Sequence, residues 1–158
     1  MVQNVDEYEY HQGLKTEWVH PVRLTPQPIA GDKIEFDRGL YNHVGIADGR
    51  GGIYHFSGEP GKFRADWRHD RIKDVTKGSL MRFNNFLDHT RTPFDEDVII
   101  RRCRSSLGFF KNTYSAHSSN NCEHKANEMR YGSATSQQSE TASIVSGGIL
   151  VIFSIEVT

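Results

Sequence analysis

Two short apolar segments separated by a glycine-rich turn constrain this chain more than any other feature. His43-Val44-Gly45-Ile46-Ala47 and Ile53-Tyr54-His55-Phe56 flank Asp48-Gly49-Arg50-Gly51-Gly52, which makes an antiparallel hairpin the natural reading. Ahead of it, Lys33-Ile34-Glu35-Phe36 alternates polar and apolar as a half-buried strand does. Ser79-Leu80-Met81-Arg82-Phe83 predicts a fourth strand. Between them, residues 60–78 interleave basic and aromatic types (Lys62, Phe63, Arg64, Trp67, Arg68, Arg71, Lys73) and read as a solvated loop with one buried tryptophan.

The pattern turns helical from Pro93 to Leu107. Asp95, Glu96 and Asp97 come early, Arg101, Arg102 and Arg104 late, and Gly108 closes the segment, the charge order a helix dipole favours. Ile99, Cys103 and Leu107 share one face by four-residue spacing, so Cys103 reads as a core residue. A second helix is expected from Cys122 to Tyr131, ended by Gly132, with Ser118, Ser119 and Asn120 all competent to cap it. Strands followed by helices argue an α+β domain.

Residues 1–30, interrupted by Pro21, Pro26 and Pro28, read as a polar leader with an edge strand near Trp18 and Val19; residues 31–132 form the domain and 133–158 a tail. The tail holds an apolar run, 142–155, whose fourteen residues fall short of a bilayer span. A membrane-surface attachment and a buried C-terminal strand weigh evenly there. At 158 residues the chain suits one core. Its net charge of −1 gives no electrostatic reason to expect nucleic acid. Two cysteines, and a first ten residues with no apolar run, favour a reducing, cytoplasmic setting over a secreted disulfide scaffold.

Cys122 is placed where a nucleophilic thiol is useful, in the first turn of a helix after a polar loop, where the thiolate is favoured. His43 and His55 stand twelve residues apart on two strands of the hairpin. If both point to one face, one serves as base and the other orients it. Whether they do depends on the strand register. A mixed zinc set of His43, His55, Cys122 and His124 is a rival, weakened because Cys122 and His124, two apart on a helix, diverge. His11, His20, His69, His89 and His117 lie in polar surroundings and read as surface residues.

Gly31-Asp32-Lys33-Ile34-Glu35-Phe36, Arg38-Gly39-Leu40-Tyr41-Asn42-His43, Val44-Gly45-Ile46 and Tyr54-His55-Phe56 resemble the opening block of the lecithin–retinol acyltransferase-like family. Asn121-Cys122-Glu123-His124 with Glu128-Met129-Arg130-Tyr131-Gly132 resembles its cysteine box. The resemblance implies a circularly permuted papain-like fold, an antiparallel sheet packed against helices. It implies catalysis by Cys122 as nucleophile with His43 and His55, without metal or organic cofactor. It further implies that an acyl chain passes from a phospholipid to a cysteine thioester and on to water, an amine or an alcohol. Val44 stands where the family has an aromatic residue, Lys125 where it has Phe, and the loop before Cys122 is one residue longer. Lys125 is expected to point to solvent. The rival functions are a non-enzymatic interaction module on the same fold and a papain-like cysteine peptidase or amidase. An open acyl-sized groove beside Cys122 favours lipid chemistry, a filled one the interaction module.

Overall fold

The computed structural model describes residues 5–58, 65–111 and 119–132; the tail, Ser118 and His117 lie outside the described residues. The elements, in chain order, are α1 (Val5–His11), β1 (Lys33–Asp37), β2 (Asn42–Ala47), β3 (Gly52–Gly58), β4 (Ala65–Arg71), α2 (Ile72–Thr76), β5 (Met81–Phe83), α3 (Glu96–Ser105), β6 (Phe110–Lys111) and α4 (Ser119–Tyr131). The six strands form one sheet in the order β5-β1-β2-β3-β4-β6, and every pairing is antiparallel. The domain is therefore α+β, and the expected hairpin is β2–β3.

Two cores flank the sheet, as the period-two alternation of strands requires. Val44 and Ile46 of β2, Tyr54 and Phe56 of β3, and Ala65 and Trp67 of β4 meet Ile99 and Cys103 of α3 and Cys122, Ala126 and Met129 of α4. The second core joins Ile34, Phe36, Ala47, Ile53, Met81 and Phe83 to Leu24 and to Val75 of α2. Cys103 is a core residue, as its spacing predicts, and burial pushes its thiol up to about 12. Leu107, grouped with it in the sequence, lies beyond the helix end and is 46 % exposed.

Several expectations are corrected. Residues 65–71 are a strand, not a solvated loop: Ala65 and Trp67 point inward while β4 pairs with β3 along its length. Cross-strand pairing there outweighs the poor strand propensity of Asp and Arg. Trp67 is the buried tryptophan, and its Nε1 donates to the Cys103 carbonyl. β1 is buried on both faces rather than half-buried, because Lys33 lies against Tyr131 of α4 and Glu35 is received by Arg82 of β5 and by Asn84. Glu35 accepts from Arg82 Nε at 2.6 Å and Asn84 Nδ2 at 2.7 Å. Burial also pushes the Lys33 amine down to about 8, against the pull of Glu123.

His11, read as a surface residue, is buried; its Nδ1 lies 2.7 Å from the Asp32 carboxylate, fastening α1 to the start of β1. Val19 bridges Met81 at the sheet edge, as the edge-strand reading anticipates. His20, His69 and His89 are exposed. Among the described residues no helix is long and apolar enough to cross a membrane.

Candidate active site

Register decides what spacing left open. Gly45 of β2 lies directly opposite His55 of β3, and His55 lies opposite Arg68 of β4. His43 and Asp70 are then the two diagonal neighbours of His55 on the same side of the sheet, close enough for side chains to meet. Gly45 leaves the room that β3 needs to lie this close to β2. A Cβ there would stand 2.7 Å from the Ile53 side chain and 2.8 Å from the Tyr54 carbonyl oxygen.

The result is a line of four side chains. Cys122 Sγ, in the first turn of α4, is 3.4 Å from His43 Nδ1 and 3.8 Å from the Phe56 carbonyl oxygen. His43 Nε2 is 2.8 Å from His55 Nδ1, and His55 Nε2 is 2.9 Å from Asp70 Oδ2. All three sequence-predicted residues are thus brought together, and Asp70 joins them. Spacing does not reveal Asp70, because it reaches His55 only through the β3–β4 pairing; Trp67, three residues earlier, is the one apolar signal of a strand there.

The proton positions follow from the partners. An ionised carboxylate only accepts, so His55 Nε2 carries a proton toward Asp70. In a neutral imidazole the other nitrogen then accepts, so His43 Nε2–H donates to His55 Nδ1. That leaves the lone pair of His43 Nδ1 facing the thiol. Burial, followed by the neighbouring His55, Arg38 and Lys77, pushes His43 down to about 3. His55 is also lowered by burial, opposed by its bond to Asp70. Both rings are therefore neutral near pH 7, as a proton-accepting base must be. Cys122 is fully buried and His43 is 7 % exposed, so the thiol sits in a nearly dry pocket.

Lys125, expected in solvent, is buried. Its ammonium pairs with Glu128 at 3.1 Å and lies 4.4 Å from the centre of the Phe109 ring, contacts that offset the cost of burial. Val44 is fully buried in the core that holds Cys122. Among the described residues no group of three or more His, Cys, Asp and Glu side chains converges to hold a metal ion. Two clefts, of about 1650 and 610 Å³, open on either side of the Asp48–Arg50 turn, and neither includes Cys122, His43 or His55 in its walls.

Residues 26–135 match the family model described as lecithin retinol acyltransferase. The chain is 33 % identical over 144 residues to human phospholipase A and acyltransferase 4, covering 80 % of this chain and 87 % of that one. It is 33 % identical over 132 residues to phospholipase A and acyltransferase 5 of Mus musculus, covering 77 % of this chain but about half, 48 %, of the relative. With human phospholipase A and acyltransferase 3 the identity is 31 % over 130 residues, 72 % of this chain and 76 % of the relative. Both motif blocks fall within residues 26–135, and the chain belongs to the lecithin retinol acyltransferase family.

Proposed function

We propose that this enzyme is a thiol-dependent acyltransferase and phospholipase that takes an acyl chain from a phospholipid onto Cys122 and passes it to water, an amine or an alcohol. The observation that carries the reading is the 3.4 Å approach of Cys122 Sγ to the unprotonated Nδ1 of a neutral His43. His43 takes the thiol proton, and the thiolate adds to the ester carbonyl carbon. The bond to the glycerol oxygen then breaks, the imidazolium returns the proton to that oxygen, and a lysophospholipid leaves. In the second half the acceptor gives its proton to His43 and attacks the thioester, and the cysteine leaves as thiolate and takes that proton back from the imidazolium.

The first turn of α4 favours the thiolate through the partial positive charge of the helix N-terminus. His55 and Asp70 hold the His43 tautomer and stabilise the imidazolium formed at each half-step. Histidine-bearing strands that precede the cysteine-bearing helix support the circularly permuted papain-like description of the fold. The apolar run 142–155 is read as an attachment to the membrane surface that supplies the acyl donor.

Incubation with labelled phosphatidylcholine followed by intact-mass measurement tests the reading. A thioester is expected on the wild type and on Cys103→Ser, and none on Cys122→Ser or His43→Ala. An adduct lost in Cys103→Ser and kept in Cys122→Ser would refute it.

A further inference from the structure

Among the described residues Leu40 is the most exposed large apolar one, at 101 % of its reference surface, and it sits at the tip of the β1–β2 turn three residues before His43. A leucine in full contact with water on a loose loop would need no explanation. This loop is tightly built. The Arg38 amide donates to the Tyr41 carbonyl at 3.0 Å, the Leu40 amide to the Arg38 carbonyl at 3.0 Å, and the Gly39 amide to the Asp37 carboxylate at 2.7 Å. Gly39 takes a φ of +80°, the reversal that turns Leu40 outward.

The turn is also fastened to a second segment with the same chemistry. The Arg38 guanidinium donates to the carbonyls of Thr76, at 2.9 Å, and Val75, and to Ser79 Oγ. The Asp37 amide donates to the Leu80 carbonyl at 2.9 Å. The clamp sets Leu40 beside the 77–80 segment, which carries exposed Lys77 and the 40 % exposed Leu80. His43 is the second residue of β2, opposite Phe36 of β1, so the turn that carries Leu40 runs directly into the strand that bears the base.

Two outward leucines, a rigid turn and an adjacent positive charge at the start of the strand that bears His43 fit one kind of partner. We propose that the β1–β2 turn and the 77–80 segment form a docking face for an anionic phospholipid surface, with Leu40 inserted among the acyl chains and Lys77 at the headgroups. The inference rests on the lipid-acyl reading of the site and names the surface from which its substrate is drawn. Docking there brings the bilayer to the end of the β1–β2 hairpin beside His43.

The test is flotation of the full chain with phosphatidylcholine vesicles, with and without phosphatidylserine. Leu40→Asp should lower the bound fraction roughly tenfold, since it trades the burial of one large apolar side chain for that of a charge. Lys77→Glu should remove most of the preference for phosphatidylserine. Leu40→Ser, which adds no charge, should give an intermediate loss, and the melting temperature of each variant reports that the domain is intact. The ratio of turnover on vesicles to turnover on a monomeric short-chain phospholipid should fall in step with binding. Binding of Leu40→Asp within twofold of wild type overturns the proposal. So does a Leu40-dependent dimer with unchanged vesicle binding, which would assign the face to a second copy. Failure of the acyl-transfer reading is seen separately, as absence of turnover and of thioester on the wild type with either substrate.

Discussion

If His43 is held neutral by burial, the protein must lose stability as acid is added, and the amount can be worked out. The folded value is about 3, whereas an unburied imidazole titrates near 6.5. Below pH 6.5 the unfolded chain binds a proton at this position that the folded protein refuses, so stability rises with pH through this window. It is fully present above about 6.5 and is lost progressively as pH falls toward about 3. Between pH 7 and pH 5 the single group removes about 2 kcal/mol, at 1.36 kcal/mol per unit. For a chain of this size that corresponds to roughly 4–8 °C in melting temperature.

The assay is urea unfolding at the two pH values for wild type and for His43→Gln, which cannot titrate. Other groups contribute to both proteins alike, and His55, also lowered, acts in the same direction in each. The difference between the two proteins' pH dependences isolates His43. An identical dependence in wild type and variant would refute the argument that a neutral base faces Cys122. The same neutrality predicts that thioester formation shows no acid limb near pH 6.5 assignable to His43.

Three further outcomes are expected. His55→Ala strands the buried His43 Nε2–H without an acceptor, at about 1–3 kcal/mol or roughly 5–150-fold in thioester formation, whereas the amide oxygen of His55→Gln can accept it and should cost less; equal losses in the two would remove the tautomer argument. Asp70→Ala should slow the same step only about fivefold, near 1 kcal/mol, because its side chain is 45 % exposed and water screens and replaces it; a loss as complete as that of His43→Ala would show that Asp70 does more than orient. Asp88→Ala should destabilise the fold by about 3–5 kcal/mol in urea, since Asp88 accepts from Arg130, Tyr131 and the Gly13 amide and its loss leaves the Arg130 charge buried and uncompensated; a change under about 1 kcal/mol would contradict this.

Much of the fold was legible locally. The β2–β3 hairpin, β1 and β5, the α3 stripe with Cys103, and the placing of Cys122 in the first turn of α4, which begins at Ser119 rather than at Cys122, all rest on signals spanning a few residues: a period of two, a period near four, a glycine turn and a charge order. These survive folding because the backbone geometry that produces them is itself local. The paired motif blocks named the family for the same reason, as short runs in a set order.

What the tertiary structure alone decided is whatever depends on register and on pairing across distance. One residue of slip between β2 and β3 would have sent His43 and His55 to opposite faces, and nothing in their twelve-residue spacing distinguishes the two outcomes. β4 is a strand because β3 lies beside it, not because Asp66, Arg68 and Asp70 favour one, and Asp70 reaches His55 only through that pairing. His11 and Lys125 are buried against ordinary expectation because Asp32, Glu128 and Phe109 are there to receive them. A charge or a polar ring goes inside when a partner from elsewhere in the chain repays its lost hydration, and such partners are assigned by the fold rather than by neighbours in sequence.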